Sequence, residues 1–462
     1  MTTPPVVLWF RRDLRLSDNA ALSAALASGR PVIPVFILDD VTPGAWAPGG
    51  ASRWWLHHSL QALEADLRKR GSGLVLRRGS YDSVLPQLVA ETGAGEVHTG
   101  EAMEPWARRA IDALSRRLPI RQHRTSLLFH PNEIRTGSGT PYGVFTPFAR
   151  TCERSYMPTP MVPSPARIAS LALPASDVLA SWKLLPTKPD WAVGWSAIHT
   201  PGEAGALARL QEFRPRVKAY DDARNLPGIE GTSRLSPHLA WGEISPNTVW
   251  QSVQHDGTGK GLATFRSELL WREFSAHLLW HFPALPDAPL KPAYAAFPWR
   301  KDDRALRAWQ RGETGIPIVD AGMRQLWTTG WMHNRVRMIV ASFLIKHLLL
   351  PWRDGEAWFW DTLVDAELAA NAASWQWVAG SGADAAPFFR VFNPVLQGEK
   401  FDADGAYVRR YVPELAHVEL KYLHSPWLAS SPPRHYPPPI VNLAFGRQRA
   451  LDALKTITKS AA

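Results

Sequence analysis

The feature that most limits the possible folds is a change of hydrophobic pattern along the chain. Up to about residue 130, short apolar runs such as Val6–Phe10 alternate with stretches that have apolar residues at helical spacing. The pattern predicts strands at 6–10, 32–38, 74–76 and 96–99, and helices at 20–27, 52–70, 81–91 and 105–118. This alternation is typical of a doubly wound parallel sheet with helices on both faces. We therefore predict an α/β domain over residues 4–130.

Two details sharpen this prediction. Ser52 is a candidate N-cap of the second helix, because a hydroxyl can accept a bond from a free N–H of the first turn. Ligands of parallel sheets bind at the carboxyl ends of the strands, which points to the loops 11–19, 39–46 and 100–106.

The pattern changes after this domain. Eight prolines lie between Pro158 and Pro201 without sustained periodicity, so residues 131–202 are predicted to be a connector between domains. Helical spacing then dominates at 262–281, 304–311, 316–328, 331–350 and 356–368. No convincing strand follows, and we predict an all-α domain over residues 203–462.

Composition narrows the class of protein. The net charge of +10, from 52 Lys and Arg against 42 Asp and Glu, favours a polyanionic partner or simply a basic surface. A single cysteine, Cys152, excludes an intramolecular disulfide and a cysteine-based metal centre, and no metal is expected. The N-terminus lacks the pattern of a signal peptide, and Lys346 and His347 interrupt the longest apolar stretch. A cytoplasmic location without membrane contact is expected.

Two local constellations suggest ligand binding. Residues 230–236 form a run of hydroxyls around Arg234, which suits a phosphate group or, alternatively, a capped helix start. Glu268, Trp271 and Arg272 share one helical face and could line a base-sized pocket. The alternative for these three is an ion pair beside a core tryptophan.

Two more constellations lie further along the chain. Asn334, Arg337 and Met338 share a helical face, where Met338 could pack on an aromatic ligand or serve the core. Residues 365–377 combine two carboxylates, small residues and tryptophan, which a helix end followed by a turn explains only in part.

These stretches occur together in a recognisable order. Residues 8–15, 144–148, 230–236, 268–274, 314–323, 330–338, 365–377 and 392–401 resemble the photolyase/cryptochrome family, most closely its bacterial members that repair cyclobutane pyrimidine dimers (CPDs). The resemblance implies an N-terminal α/β antenna domain and a helical domain that binds FAD and DNA. It also implies FAD contacts at Tyr220, Thr232, Ser233, Arg234, Leu235, Ser236, Arg337, Asp365, Glu367 and Asn371.

Some of these positions distinguish subgroups. Glu367 departs mildly from the family, since many relatives have Asp there, and Asp365 is expected to pair with Arg337. Asn371 matches the residue that faces flavin N5, where an amide can accept the N5–H of the reduced, anionic flavin. Plant cryptochromes tend to carry Asp at this place, so Asn371 favours repair over signalling.

The resemblance also assigns the lesion pocket, the DNA contacts and an electron route. Glu268, Trp271, Asn334 and Met338 match the residues that hold the dimer, whereas relatives specific for the (6-4) lesion carry His at the last two. DNA contacts are expected at Arg224, Glu268, Trp271, Arg272, Asn334, Arg335 and Gln397. Trp375, Trp352 and Trp299 match an electron-transfer chain, although buried tryptophans of a Trp-rich domain would look similar.

The implied activity is that of a deoxyribodipyrimidine photo-lyase acting as a monomer. Light would drive an electron from reduced FAD (FADH⁻) to a dimer flipped out of single- or double-stranded DNA. The antenna is expected to be 5,10-methenyltetrahydrofolate. Residues 103–109 lack the Asn-Glu pair of folate-binding relatives, so 8-hydroxy-5-deazaflavin and an empty pocket are alternatives. A blue-light receptor without repair activity, or a flavin redox enzyme, remains an alternative. The redox enzyme is disfavoured because no Gly-rich dinucleotide loop is evident.

Overall fold

The computed structural model describes residues 3–257, 259–385 and 390–459. The contacts within the chain divide it into two compact units. Unit 1 runs to Lys218 and adds Ser233–Pro283 and Val364–Ala369. Unit 2 comprises Ala219–Thr232, Ala284–Leu363 and the residues from Ala370 onward. The domain limits expected at residues 130 and 203 remain predictions.

Unit 1 contains a five-stranded parallel sheet. Its strands are β1 (Val6–Phe10), β2 (Val32–Leu38), β3 (Val75–Arg78), β4 (Glu96–Gly100) and β5 (Ile120–His123). They lie in the order β3-β2-β1-β4-β5, and Val6 of β1 pairs with Val32 on one side and Glu96 on the other. The order reverses at β1, as in a doubly wound fold, and the predicted fold class is confirmed.

The strand β5 was not predicted. It has four residues, and its two central side chains, Arg121 and Gln122, are exposed, so no apolar run marks it in the sequence. An edge strand of this kind forms because its backbone pairs with β4, which only the assembled sheet can decide.

The helices of unit 1 follow the predicted rhythm and extend it. They are α1 (Ala20–Ala27), α2 (Gly50–Lys69), α3 (Tyr81–Thr92), α4 (Pro105–Ser115), α5 (Phe145–Ser155), α6 (Trp195–Ile198) and α7 (Glu203–Phe213). After α8 (Tyr220–Ala223) in unit 2, unit 1 resumes with α9 (Ser236–Trp241), α10 (Pro246–Ser252) and α11 (Lys260–His281). The apolar core beneath the sheet includes Val7, Trp9 and Val35, all fully buried.

One capping prediction is wrong. The helix α2 begins two residues before Ser52, its N-cap is Gly49, and no side chain caps it. Ser52 lies inside the first turn and is buried. The packing of Ala51 and Trp54 in the core places the helix start further upstream than the hydroxyl alone suggests.

The helices of unit 2 differ in two places from the prediction. They are α12 (Asp303–Arg311), α13 (Pro317–Thr329), α14 (Asn334–Ser342), α15 (Trp352–Thr362), α16 (Leu368–Ala379), α17 (Pro394–Phe401), α18 (Ala406–Tyr411), α19 (Leu420–Leu423) and α20 (Leu443–Lys459). The helix expected at 331–350 ends at Ser342 and continues as a π-helical turn, Phe343–His347. The helix expected at 356–368 corresponds to α15, which begins at Trp352 and ends at Thr362; residues 363–367 are not helical, and α16 begins at Leu368.

Short 3-10 turns complete the described chain at Gly44–Trp46, Leu179–Trp182, Arg214–Ala219, Pro292–Ala296, Pro413–Leu415 and Pro426–Leu428. Residues 426–439 form a proline-rich segment. It is anchored by Asp320, a buried carboxylate that accepts bonds from the Thr314 and Gly315 N–H groups and from the Tyr436 hydroxyl. Within the described residues, no strand follows β5, and no helix has both the length and the apolar content needed to cross a membrane.

Candidate functional site

The long helix α11 presents a stacked aromatic pair in unit 1. The Trp271 indole lies parallel to the Phe145 ring, with centroids 3.7 Å apart and an angle of 7° between the planes. Phe145 is the first residue of α5 and is buried, whereas Trp271 is partly exposed. The stack fixes the orientation of the indole, so a second flat group can pack against a preorganised ring. Phe145 is a site residue that the sequence analysis missed.

Arg272 is engaged by protein acceptors. Its guanidinium donates to the Ser126 carbonyl at 2.7 Å, to the Leu239 carbonyl at 3.4 Å and to the Glu367 carboxylate at 3.0 Å. These bonds tie α11 to the end of α9 and to the segment before α16. The expected DNA contact of Arg272 stays a prediction, and the geometry gives this side chain a structural role in unit 1.

The neighbouring Glu273 is a second residue that the sequence analysis did not single out. Its carboxylate accepts the backbone N–H groups of Leu128 and Phe129 at 3.0 and 3.1 Å. Burial raises the pKa of Glu273 to about 7, although Arg272 and the two N–H donors oppose the shift. Glu273 therefore holds α11 against residues 128–129 and titrates near neutral pH.

The hydroxyl-rich run before α9 is not a conventionally capped helix start. The N-cap of α9 is Leu235, and no side chain caps the helix. Arg234 has a φ of 51°, in the left-handed region, and Leu235 follows in right-handed helical conformation. Successive residues of opposite hand point their N–H groups into one concavity, a nest that suits an anion such as phosphate. This local geometry fits the expected role of Ser233, Arg234, Leu235 and Ser236 towards the FAD phosphates.

Three other residues expected near FAD or DNA lie at the start of unit 2. The Arg224 guanidinium lies 5.7 Å from the ring centroid of Tyr220, and Tyr220 is buried. Thr232 is the last residue of this segment of unit 2. Asp365, by contrast, belongs to unit 1 and is buried.

The helix α14 carries the second group of candidate residues in unit 2. Arg335 donates to the Asn225 side chain at 2.6 Å, reaches the Met338 sulfur at 3.9 Å and stacks over Phe401 at 4.4 Å. Arg337 donates to the Met332 carbonyl at 2.8 Å. Asn334 is the first residue of α14 and is exposed, so its amide can reach a ligand. Gln397 lies on α17 and is partly buried.

Asn371 has a fixed side-chain orientation. Its amide nitrogen donates to the backbone carbonyl of Glu356 at 3.0 Å, and the side chain is nearly buried. One of the two amide N–H groups is used inside the protein, and the acceptor Oδ1 is available to a ligand. This is the polarity that a ring N–H requires.

The three predicted electron carriers differ in exposure. Trp375 and Trp352 are buried, while Trp299 is partly exposed beside Phe297, with ring centroids 4.3 Å apart. Trp375 lies one turn after Asn371 on α16, and a Cβ built on Gly355 of α15 would overlap its ring. The exposure therefore rises in the order that the electron route predicts, Trp375, Trp352, Trp299.

Further aromatic rings surround Trp375. The Phe359 ring lies 5.0 Å from Trp375 and the Trp309 ring 6.3 Å from it, each at a steep angle. Neither residue was singled out from the sequence, because their helices look like ordinary apolar periodicity until their contacts are known.

The carboxyl ends of β1 and β4 form a charged cluster in unit 1, where the sheet topology places a ligand. Glu104 pairs with Arg11 at 3.2 Å and lies 3.7 Å from Arg12. The Arg11 Nε and the Trp9 indole N–H are buried and have no hydrogen-bond partner in the described part of the chain. These two donors lie inside the protein, and Glu104, from the stretch on which the antenna prediction depends, is already paired with Arg11.

Comparison with known proteins places this geometry in a family. Residues 6–166 match the family described as DNA photolyase, and residues 265–456 match the FAD binding domain of DNA photolyase. A deoxyribodipyrimidine photo-lyase of Agrobacterium fabrum is 51% identical over 481 residues, covering 100% of this chain and 99% of the relative. Cryptochrome-1 of Arabidopsis thaliana is 35% identical over 486 residues, covering 97% of this chain and 70% of the relative.

A solved structure agrees with these matches. The class III photolyase from Agrobacterium tumefaciens superposes with a TM-score of 0.96 at 50% identity, covering 99% of this chain and 98% of that chain. The comparisons confirm the resemblance inferred from the sequence, and the names of the relatives support the photo-lyase enzyme class. The chain belongs to the DNA photolyase/cryptochrome family.

Proposed function

We propose that this protein is a deoxyribodipyrimidine photo-lyase that uses light to split CPDs in DNA. Reduced FAD, when bound, supplies the electron that opens the cyclobutane ring. The match of residues 265–456 to an FAD-binding domain supports this cofactor, and a photo-lyase relative that is 51% identical over the full chain supports the reaction class.

The observation that carries the proposal is the orientation of Asn371. Its amide nitrogen is bonded to the Glu356 carbonyl, so Oδ1 is the atom available to accept a hydrogen bond. An acceptor without charge suits the N5–H of a reduced, anionic flavin better than a carboxylate does, because a second negative charge would repel the ring. This favours a repair enzyme.

The other FAD contacts would come from the remaining residues that the family resemblance assigns. The nest at Arg234 and Leu235, with the hydroxyls of Thr232, Ser233 and Ser236, would hold the diphosphate. The carboxylates Asp365 and Glu367 would take the ribose and isoalloxazine side, with Arg337 near the ring and Tyr220 near the phosphates. Carboxylate and guanidinium groups match these partners in charge and geometry.

The dimer would be recognised by four side chains. Trp271, held by Phe145, would stack on it, and Glu268 would hydrogen-bond it and stabilise the charge that develops. Asn334 and Met338 stand where (6-4) enzymes carry His, which indicates the cyclobutane lesion. A damaged base leaves the helix at a cost of only a few kcal/mol.

DNA binding would be largely electrostatic. The net charge of +10 and the guanidinium groups of Arg224 and Arg335 suit phosphate contacts, and Gln397 adds a neutral donor. Affinity for DNA is therefore expected to fall as the salt concentration rises. We further propose a cytoplasmic monomer and an electron route through Trp375, Trp352 and Trp299 that reduces oxidised FAD.

The cluster at the ends of β1 and β4 is the proposed antenna site. Both a methenyl-folate and a deazaflavin are flat heterocycles with acceptor atoms, and the partly exposed guanidinium group of Arg12 is a donor at this edge. Glu104 is already paired with Arg11, so it is a weak candidate for holding a folate amine. The absorption spectrum of the purified protein distinguishes the two, since each chromophore adds its own band beside the flavin bands.

The decisive experiment is light-dependent repair. The purified, reduced protein is mixed with an oligonucleotide that contains one thymine cyclobutane dimer, with and without blue light, and intact thymines are quantified. We expect flavin absorption and repair only in the light. Flavin absorption without repair would refute the proposed repair activity, and absence of flavin absorption would refute the assignment of FAD as the cofactor.

A blue-light receptor is the second candidate, favoured by the 35% identity to Cryptochrome-1 of Arabidopsis thaliana. The substitution Asn371→Asp tests what separates the two. A carboxylate at this place should shift the light-reduced flavin spectrum towards the neutral radical and lower the yield of repair. An unchanged spectrum would show that Asn371 does not control the flavin.

A further inference from the structure

Glu356 is a buried carboxylic acid without a salt bridge in the described part of the chain. Its side chain is 1% exposed, and its Oε1 atom has no hydrogen-bond partner there. Burial, with a smaller contribution from Asp287, raises the pKa of Glu356 to about 9, while Arg353 opposes the shift. The carboxyl therefore carries its proton at neutral pH, which avoids an uncompensated buried charge.

This acid lies beside the residues that the proposed function uses. The backbone carbonyl of Glu356 accepts the Asn371 amide at 3.0 Å. The adjacent Gly355 packs against the Trp375 ring so closely that a Cβ there would overlap it. Trp352 precedes Glu356 by one helical turn on α15, so both lie on the same side of that helix.

Light-driven reduction of the cofactor requires a proton as well as electrons. Conversion of oxidised FAD to FADH⁻ consumes two electrons and one proton. The carboxamide of Asn371 does not ionise and cannot supply that proton. A suitable donor must hold its proton at the working pH, as Glu356 does, and the backbone of Glu356 contacts Asn371 directly.

Building on the proposed function, we propose that Glu356 is the internal proton donor for light-driven reduction of the bound FAD. Electrons arrive through the tryptophan chain, and two molecules of an external thiol replace them as they are oxidised to a disulfide. The O–H bond of Glu356 breaks and its proton passes to the ring beside Asn371. The carboxylate then regains a proton from solvent. The two thiols release two protons into solvent, so one of them replaces the proton of Glu356 and the other remains.

The charged groups that influence Glu356 face solvent. Asp287 and Arg353 are the charged groups that act on Glu356, and both are exposed. Arg353 donates to the backbone carbonyl of Asp287, so the two mark one surface patch near the buried acid. A proton can thus be replaced from this side without passing through the cofactor site.

The test uses the FAD-loaded enzyme and Glu356→Gln, which keeps the shape of the side chain but removes its acidic proton. The oxidised enzyme is illuminated with excess thiol over a pH series, and flavin absorbance gives the rate of reduction. We expect the variant to be slower by about 100-fold, the usual contribution of a general acid. The wild-type rate should fall as the pH rises past about 9, and this dependence should vanish in the variant.

Asp354→Asn is the matched control, because Asp354 is an exposed carboxylate on the same helix. It should leave the rate and its pH dependence unchanged. Infrared spectroscopy in the dark adds a readout that needs no turnover: the C=O band of a protonated carboxylic acid should titrate near pH 9 and be absent in Glu356→Gln.

Two results would overturn the proposal. One is reduction of Glu356→Gln at the wild-type rate with the same pH dependence; the other is a carboxyl band that titrates near the ordinary glutamate pKa of about 4.3. Repair by chemically reduced wild-type enzyme distinguishes failure of this proposal from failure of the proposed function. If the reduced enzyme does not repair the dimer, the proposed function itself is wrong. If the variant does not fold, the infrared titration and the pH profile of the wild-type enzyme still decide.

Discussion

Replacement of Phe145 by leucine tests whether the aromatic stack prepares Trp271 for its ligand. The rings lie 3.7 Å apart and nearly parallel, and Phe145 is 8% exposed, so the substitution removes the stack while leaving most of the volume filled. An aromatic pair of this kind contributes about 0.5–1.5 kcal/mol beyond the area that it buries. Without it, Trp271 must be ordered when the lesion binds, which weakens binding roughly 2- to 10-fold.

The assay is a titration of a dimer-containing oligonucleotide, and of the same oligonucleotide without the dimer, against the FAD-loaded protein in the dark. Phe145→Leu should weaken binding of the dimer and leave undamaged DNA and FAD content almost unchanged. Phe148→Leu is the matched control, because Phe148 is a buried ring on the same helix that packs on Phe274 at 5.1 Å. Equal effects of the two substitutions on dimer binding would refute the reasoning.

Three further predictions concern catalysis, photoreduction and stability. Glu268→Ala should lower the repair yield roughly tenfold or more, because an electrostatic partner of the dimer is lost, while FAD content measured by absorbance stays constant; an unchanged yield would remove Glu268 from the mechanism. Trp299→Phe should slow photoreduction of oxidised FAD much more than repair by chemically reduced enzyme, and normal photoreduction would mean that electrons use another route. Burial raises the pKa of Glu273 to about 7, so its folded-state pKa exceeds the unfolded value and the associated stability is lost as the pH rises through 7. The Tm of the wild-type protein should therefore fall relative to Glu273→Gln between pH 5 and pH 8, and parallel Tm curves would contradict the shift.

The sequence predicted the main elements because their apolar patterns are strong. Val6–Phe10 and Val32–Leu38 are buried throughout, and continuous apolar runs of this kind have few alternatives to a parallel sheet. The apolar patterns did not predict elements whose conformation depends on strand pairing or on packing. β5 has exposed central residues, and the helix expected at 331–350 changes to a π-helical turn at Phe343, where the Leu348 N–H bonds back to the Phe343 carbonyl.

For the candidate site, the sequence supplied residues but not their partners. It named Trp271 and Asn371, yet the ring that holds one and the carbonyl that orients the other come from distant segments. It also passed over Glu273 and Glu356, because a glutamate on a helix is usually solvated and nothing local marks these two as buried.

The sequence by itself determined the alternation of the first four strands with helices, the excess of positive charge and the family, since these depend on local periodicity, composition and motif order. The tertiary structure decided which faces of the helices meet, which carboxyls lose water and which polar atoms are already paired. The physical reason is that burial and hydrogen bonding depend on contacts between distant segments, as between Glu273 and Leu128 or between Asn371 and Glu356. Burial raises the pKa of Glu356, and the bond to the Glu356 carbonyl orients Asn371. The chemistry proposed for this protein depends on both.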